Sequence, residues 1–416
     1  MTTTQTFSNL QTPPDLTSKE FASNKYEYYK WMRQEAPVAR CKYVTSHAYV
    51  VSRYEDCVAL LKDPRVIRDN RRIDTSTPLL PSFIPLPKST ELILHSMIGS
   101  DEPDHKRLRS LVHQAFTRKS MSELSDRIEH LTNNLLDKAE AKSQAEGSVD
   151  LKEAYALPIP VTVIQEMVGV SDQDMPRFYE GIEAVIKGFS GVRILLTMLW
   201  DLPRLSNFLR ELINRKRDNP GNDMLTGLIQ AEEEGQKLSE DEIVSMIFLI
   251  IAAGYQTTVH LITNGVTALL QHPDQLTKLR ANPDLIESAV EEILRFTSPV
   301  YVTELAYAGE DMVIQGVSIP KGEVVVACIG AANHDSAVFE NPEVFDIERS
   351  PNKHLGFGSG IHACLGAPLA RMEAKIALTN LIVRNPNLHL AVDPSVLEFE
   401  TTPGLHSYKH LPVVLG

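Results

Sequence analysis

The spacing of hydrophobic residues predicts a mainly α chain with a small β region. Apolar residues recur every three to four positions, the period of an amphipathic helix, in the segments 54–62, 103–115, 120–145, 160–168, 172–187, 203–217, 223–234, 274–282 and 283–296. Runs of β-branched and aromatic residues predict a short hairpin over 43–51 and strands over 313–319 and 323–329. Residues 69–88 hold four prolines, so we expect a long loop there and interpret it as a substrate lid.

One further helix is predicted from a start signal and an apolar run. Ser239 and Glu242 have the spacing of a capping box, and the helix that they begin runs to about Leu270. Its most apolar part, 246–253, is too short to span a bilayer and is followed by polar residues. We therefore expect a buried central helix and no membrane anchor.

Composition and charge narrow the class of protein. The 416 residues carry a formal charge of −13, which argues against a nucleic-acid binder. No export or transit pattern begins the chain, and four cysteines without CxxC spacing favour a reducing compartment, so we expect a cytoplasmic protein. No linker or internal repeat interrupts the chain, which predicts one large domain over 1–416 with a flexible segment at 1–20.

The most specific segment is Phe357–Gly366, which reads FGSGIHACLG. Its glycines allow the backbone to pass close to a bulky group, and Cys364 lies just before a predicted helix. Backbone N–H groups and the helix dipole favour a thiolate there, which suits a metal ligand or a nucleophile. For an isolated cysteine, a buried structural role is the more common alternative.

This segment resembles the haem-binding loop FGxGxHxCLG of the cytochrome P450 family. The resemblance implies the mainly α P450 fold and haem b, iron protoporphyrin IX, with Cys364 as the axial iron ligand. Phe357 would shield the sulfur and His362 would lie beside a haem propionate. The expected cofactor-binding set also includes Gly358, Gly366 and Ala253.

Other family motifs occur in the expected order. Glu292 and Arg295 match ExxR, in which an ion pair across one helical turn braces the core on the haem side. His105 and Arg109 lie four residues apart on one predicted helical face, and the resemblance implies that they bind haem propionates. Without the cysteine loop, an exposed basic helix face would be the simpler interpretation of these two residues.

The long helix carries AGYQTT, similar to the oxygen-activation motif [AG]Gx[DE]T[TS]. Gly254 would let the helix open, and the Thr257 hydroxyl would bond dioxygen and a water. Gln256 occupies the acidic position, although an amide cannot release and recapture a proton. Water past Thr257 could deliver protons, another group could substitute, or peroxide could bring its own. His260, one turn on, is either such a relay or a packed histidine.

Two more departures concern arginines. The family usually places a propionate-binding arginine in the strand after the ExxR helix, near Ala306, but no Lys or Arg occurs between 296 and 320. The segment Pro342–Phe345 reads PEVF and lacks the arginine of the family's PERF-like motif.

The resemblance implies a monooxygenase that inserts one oxygen atom from O2 into an apolar small molecule such as a lipid, a terpenoid or a polyketide-like compound. Electrons would come from a separate ferredoxin or flavodoxin with an NAD(P)H-dependent reductase, docked on a basic patch that includes Lys106, Arg107, Lys353, Arg371 and Lys375. We expect a monomer. The predicted substrate contacts are Phe248, Ala252, Val300, Val302 and Leu405, with further residues in 79–98 and 189–202. A peroxide-driven peroxygenase and a non-catalytic haem protein are the alternatives.

Overall fold

A computed structural model of the chain describes residues 12–44, 46–73, 88–94, 96–115, 118–171, 173–188, 196–233 and 235–416. Its helices are α1 (Lys19–Glu35), α2 (Tyr54–Lys62), α3 (Lys88–Leu94), α4 (Asp104–Ala115), α5 (Arg118–Glu146), α6 (Pro158–Val168), α7 (Met175–Gly188), α8 (Leu202–Asp218), α9 (Met224–Gln230), α10 (Glu240–Gly254), α11 (Gln256–Gln271), α12 (Pro273–Ala281), α13 (Ile286–Thr297), α14 (Ile329–Ala332) and α15 (Ala367–Arg384).

The strands are short. They are β1 (Val38–Tyr43), β2 (Ser46–Val51), β3 (Val66–Ile67), β4 (Val149–Asp150), β5 (Glu232–Glu233), β6 (Gln236–Lys237), β7 (Ala306–Ala308), β8 (Met312–Ile314), β9 (Val317–Ile319), β10 (Val324–Ala327), β11 (His389–Leu390) and β12 (Pro412–Val414). Helices account for 58% of the residues, which confirms the prediction of a mainly α fold with a small β region.

Local boundaries differ from the predictions, most clearly in four places. The hairpin predicted over 43–51 begins earlier, because β1 starts at Val38 and pairs with β2 up to Val51. The predicted strand 313–319 is instead the hairpin β8–β9, because Gln315 and Gly316 both take positive φ at its turn (φ 49° and 78°). The predicted helix 223–234 ends at Gln230, after which β5 begins. Helix α1 was not predicted; Ser18 caps its start by accepting a hydrogen bond from the Phe21 N–H.

Residue contacts divide the chain into two compact units, and the prediction of a single domain stays a prediction. The first unit comprises Met1–Thr77, Thr263–Cys364 and Val392–Leu411. Its sheet has the order β1-β2-β10-β7-β3, in which β10 is parallel to β2 and the other pairs are antiparallel. One face of this sheet packs against α1 in an aromatic core that contains Tyr29, Tyr301 and Leu16.

Part of the segment that was predicted to be flexible is packed. Residues 1–11 lie outside the described residues, but Leu16 is buried and Asp15 pairs with Lys42 at 2.7 Å. The flexible interpretation therefore does not hold for residues 15–20.

The second unit comprises Pro78–Ile262, Leu365–Ala391 and Pro412–Gly416, and it is mostly helical. Helix α15 packs along α5, where Asn380 donates to the Thr132 hydroxyl at 2.8 Å and Arg384 pairs with Asp137 and Glu140. The Tyr155 hydroxyl also bonds the Ala377 carbonyl of α15 at 2.8 Å. These contacts fix the direction of the helix that follows the cysteine loop.

The predicted central helix is present as α10 and α11. The capping box at Ser239 and Glu242 has both of its hydrogen bonds, and Tyr255 separates the two helices. Together, Glu240–Gln271 form the one helix among the described residues that is long and apolar enough to cross a membrane. Because 61% of its most apolar window is buried inside the protein, a core helix accounts for this composition.

Candidate active site

The cysteine loop is a tight turn closed by its own backbone. The Cys364 N–H bonds the Phe357 carbonyl at 2.9 Å, and the Gly358 N–H bonds the Leu355 carbonyl at 2.7 Å. Gly358 and Gly360 take positive φ (69° and 76°), a conformation that favours glycine. A Cβ at Gly360 would lie 2.4 Å from the Leu61 carbonyl oxygen, so this glycine also lets the loop pack on the end of α2.

Exposure separates Cys364 from the other cysteines. Cys41, Cys57 and Cys328 are fully buried, and burial raises the pKa of the Cys41 and Cys328 thiols to about 12. Cys364 is exposed, directly before α15, in the position that the motif requires of a ligand. An exposed thiol at this position fits the haem that the resemblance implies.

The described ranges contain no group of three or more His, Cys, Asp or Glu that could hold a metal ion. A single thiolate is the protein ligand that the haem-binding motif implies. A Cβ at Gly358 would meet nothing within 4 Å, so the loop has open space beside this glycine.

The ExxR helix, α13, carries the predicted ion pair. Arg295 binds Glu292 with two hydrogen bonds of 2.8 Å, and both side chains are completely buried. Arg295 also donates to the carbonyls of Asn333, Pro342 and Val344. These bonds tie α13 to the segment that precedes the cysteine loop.

Sequence reasoning missed a third member of this brace. Arg349 lies 3.2 Å from Glu292 and is nearly buried, and it also donates to the Val344 carbonyl. The arginine that is absent at Pro342–Phe345 is therefore supplied four residues after Phe345. In the sequence, the available signal was an arginine close to the apolar residues Val344 and Phe345. Only the fold identifies Glu292 as the partner of Arg349.

Helix α4 presents His105 and Arg109 on one face, as predicted from their spacing. His105 is 2% exposed and Arg109 is half-buried. Arg107, on another face, forms an ion pair with Glu242. Arg107 therefore already has an acidic partner, whereas Lys106, Lys353 and Lys375 of the expected docking patch are exposed.

The central helix breaks where the oxygen-activation motif lies. The Thr257 hydroxyl donates to the Ala253 carbonyl at 2.8 Å, and the Thr258 hydroxyl bonds the Gly254 carbonyl at 3.2 Å. These threonines bond carbonyls at the end of α10, where the regular bonding pattern is interrupted. Ala253 is exposed and Gln256 is half-buried, so this side of an otherwise buried helix is open.

Two buried ionisable groups flank the motif. Burial lowers the pKa of His260 to about 3, which favours a packed, neutral histidine over a relay that titrates near pH 7. Burial raises the pKa of Glu373 on α15 to about 8, and its carboxyl hydrogen-bonds Thr258. Glu373 was not singled out from the sequence, because nothing in its local pattern indicates burial.

The predicted substrate residues fall into different surroundings. Val300 and Leu405 are half-buried and pair through an antiparallel bridge, and Ala252 is exposed on α10. Val302 is enclosed in the aromatic core of the first unit, and Phe248 is 3% exposed. The predicted contacts in 79–87 and 189–195 lie outside the described residues.

The chain matches known proteins over nearly its whole length. The sequence model of the Cytochrome P450 family matches residues 16–222 and 207–402. The polyketide biosynthesis cytochrome P450 PksS of Bacillus subtilis is 39% identical over 402 residues, which cover 96% of this chain and 97% of PksS. The cytochrome P450 monooxygenase PikC of Streptomyces venezuelae is 36% identical over 95% of this chain and 92% of its own.

Solved structures agree with these relatives. The structure of PksS aligns with a TM-score of 0.88 at 37% identity and covers 96% of this chain and 99% of that one. P450BioI, solved in complex with an acyl carrier protein that bears hexadec-9Z-enoic acid, aligns with a TM-score of 0.86 at 36% identity over 96% and 99% of the two chains. Family, fold and an exposed Cys364 in the matching loop set aside the non-catalytic alternative: this chain belongs to the cytochrome P450 family and is a P450 monooxygenase.

Proposed function

We propose that the protein binds haem b through Cys364 and oxygenates an apolar acyl or polyketide-like molecule. The observation that carries the proposal is that the Cys364 thiol is exposed, on a loop held by backbone hydrogen bonds, whereas Cys41, Cys57 and Cys328 are buried. When bound, a haem with a thiolate ligand supplies dioxygen activation and the transfer of one oxygen atom.

The side chains of this chain would hold and orient the reactants. The Cys364 thiolate ligates iron, and His105, Arg109 and His362 bind propionates. The loop residues Phe357, Gly358 and Gly366 and the helical Ala253 line the cofactor. The Thr257 Oγ1, now bonded to the Ala253 carbonyl, can turn to hold a water or donate to a reacting oxygen. Glu292 and Arg295 act at a distance by fixing the loop.

The proposed substrate class follows from apolar residues that are open to solvent. Ala252 is exposed, and Val300 and Leu405 form a half-buried apolar pair, as expected where an apolar molecule is to be bound. Among the relatives, PksS is named for polyketide biosynthesis, and P450BioI was solved with a carrier-bound fatty acid. These relatives favour a fatty-acyl or polyketide chain, free or attached to a carrier protein, over a terpenoid.

The electrons of this reaction are proposed to come from outside the chain. A ferredoxin or flavodoxin with an NAD(P)H-dependent reductase would supply them. The exposed Lys106, Lys353 and Lys375 are candidate contacts for an acidic donor.

An optical titration of the ferric protein tests the substrate class. Free fatty acids, acyl and polyketide thioesters on a carrier protein, terpenoids and steroids are added separately, and the low-spin to high-spin change is followed. Saturable conversion by acyl or polyketide ligands is expected. Conversion by steroids or terpenoids alone would contradict the proposed class.

The ligand assignment is tested in parallel. Cys364→Ser should lose the thiolate-type spectrum of the carbon monoxide complex, whereas Cys41→Ala should keep it because Cys41 lies in the core. A Cys364→Ser protein with an unchanged spectrum would overturn the assignment of Cys364.

Peroxide-driven turnover is the second candidate, and Gln256 is the observation that favours it. An amide at this position cannot pass on a proton, and the buried His260 is not protonated near neutral pH. A turnover rate with hydrogen peroxide that exceeds the ferredoxin-driven rate would support this alternative.

A further inference from the structure

The strand position that the resemblance assigns to a propionate-binding arginine holds Ala306. Ala306 begins β7, and it is 6% exposed. Haem has two propionate carboxylates, and a half-buried carboxylate needs a nearby cation or hydrogen-bond donors. If a haem occupies the proposed site, a cation near this position on the same face would supply what that arginine supplies in the family.

The strand register identifies the residue opposite Ala306. Strand β3 runs antiparallel to β7, with Val66 opposite Ala308 and Ile67 opposite Tyr307. Arg68 follows the last residue of β3, and the same register continued by one step sets it opposite Ala306. Directly opposite residues in an antiparallel pair project from the same face of the sheet. By this register we expect the Arg68 side chain to leave the sheet on the face where a side chain at position 306 would leave it.

The side chain of Arg68 extends along that face. Its Nη1 lies 3.5 Å from Oε2 of Glu304, two residues before Ala306, and the Arg68 side chain is only 9% exposed. The guanidinium is therefore held next to a residue that lies two positions before Ala306. Glu304 is 56% exposed, and its contact with Arg68 is long for an ion pair. A guanidinium has five N–H donors, so Arg68 can bind a second carboxylate in addition to Glu304.

Arg68 is also linked to the cysteine loop within one packed unit. Gly360 of that loop packs on the Leu61 carbonyl at the end of α2, and seven residues later the chain reaches Arg68. Arginine at both 68 and 306 would place two like charges directly opposite each other, which destabilises a sheet. A small uncharged residue at position 306 avoids this repulsion with Arg68.

We propose that Arg68 binds a haem propionate in place of the arginine that the resemblance assigns to position 306. This inference rests on the proposed haem site. It assigns a cofactor-binding role to a residue outside the motifs of the family, and it explains why the strand after α13 lacks a cation.

The test is the rate of haem transfer from the ferric holoenzyme to apomyoglobin. Arg68→Ala should release haem about tenfold faster than the unmodified protein, because a charge-assisted bond is lost. Arg65→Ala is the matched control: it lies on the same segment, is 47% exposed and pairs with Asp63, so its release rate should not change.

The double variant Arg68→Ala/Ala306→Arg separates charge from packing. It restores a cation on the same face and should bring the release rate back to within about threefold of the original, whereas Ala306→Arg alone should be destabilised by like-charge repulsion. Resonance Raman bands of the propionate groups should shift in Arg68→Ala and return in the double variant. Loss of haem without recovery in the double variant would overturn the propionate contact.

The outcomes also distinguish this proposal from the proposed function. Unchanged release in Arg68→Ala, with a thiolate-type spectrum intact, would refute the role of Arg68 and leave the haem assignment standing. Absence of a thiolate-type spectrum in the unmodified protein would refute both.

Discussion

At the scale of single residues, surroundings decide what each ionisable side chain does. Cys41 and Cys364 have the same thiol, but one lies in an aromatic core and the other at the open end of a loop. Glu373 and Glu292 are both fully buried carboxyls; Glu292 is held by two arginines, whereas one Glu373 oxygen has no hydrogen-bond partner. Burial without a compensating charge is what raises the pKa of Glu373.

Glu373 makes stability depend on pH. Its pKa is about 8 in the folded protein against an ordinary 4.5, so only the unfolded chain ionises it between these values. Its contribution to the free energy of unfolding is most favourable below pH 4.5, and it is lost as the pH rises towards 8. Glu373→Gln should therefore gain stability relative to the unmodified protein between pH 5 and pH 8, by about 3 kcal/mol.

Chemical unfolding at pH 5 and at pH 8 measures this change in the free energy of unfolding. Glu35→Gln is the control, because Glu35 is exposed on α1 and its replacement should act equally at both. A stability difference between Glu373→Gln and the unmodified protein that is the same at pH 5 and pH 8 would show that Glu373 is ionised in the folded state.

We expect Gln256 to limit the efficiency of the proposed proton delivery. Gln256→Glu introduces a group that can release and recapture a proton, so product formed per reductant consumed should rise, by up to about tenfold. Peroxide-driven turnover should not change, because peroxide brings its own protons. Gln256→Asn is the control: it keeps the amide on a side chain that is one methylene shorter, and it should not raise coupling. Equal coupling in all three proteins would mean that position 256 does not limit proton delivery.

At the scale of elements, the brace between α13 and the segment before the cysteine loop depends on Arg349. Arg349→Ala leaves Glu292 with a buried charge that is less well compensated, and should lower the free energy of unfolding by about 3 kcal/mol. Arg40→Ala serves as the comparison, since Arg40 is 53% exposed and its ion pair with Glu323 spans 3.6 Å. That exposed pair should contribute less than about 1 kcal/mol; equal losses for the two variants would contradict the brace.

The break between α10 and α11 is held by close packing at Gly254. A Cβ there would lie 3.2 Å from Cδ1 of Ile164 on α6, tighter than an ordinary contact. Gly254→Ala should lower the free energy of unfolding by about 1 kcal/mol more in the unmodified protein than in an Ile164→Val background, because valine lacks the Cδ1 atom. Denaturant unfolding of the four proteins of this cycle measures the coupling, and additive effects would mean that Ile164 moves aside freely.

At the scale of the whole molecule, buried histidines predict sensitivity to acid. Burial lowers the pKa of both His260 and His334 to about 3, below their ordinary 6.5, so both stay neutral in the fold. Their contribution to the free energy of unfolding is fully present above pH 6.5. It is lost as the pH falls towards 3, because the histidines are protonated in the unfolded chain before they are protonated in the folded protein.

Replacing one buried histidine should flatten this acid dependence. Below pH 6.5, His260→Asn should reduce the slope of unfolding free energy against pH by about 1.4 kcal/mol per pH unit. His47→Asn, at an exposed position, should leave the slope unchanged. A slope that His260→Asn does not alter would mean that His260 titrates in the folded protein.

Elements of regular local pattern could be predicted from the sequence. Helix α2 has the predicted bounds, and the capping box at Ser239 begins α10 as expected. Interactions within one or two helical turns involve residues that are close in the chain, so spacing alone specifies them. The hairpin at Gln315 could not be predicted, because a positive φ at a residue other than glycine depends on the strands that it joins.

The sequence by itself determined the family, the helical class, the place of Cys364 in the family's cysteine motif and the positions at which the chain departs from its motifs, since each is encoded in residue types at short spacing. Only the tertiary structure decided that Arg349 completes the Glu292 brace, that Arg68 lies beside Glu304, and that Glu373 and His260 are buried. Pairings between distant residues and the loss of hydration depend on how separate segments pack, and no local pattern records that packing.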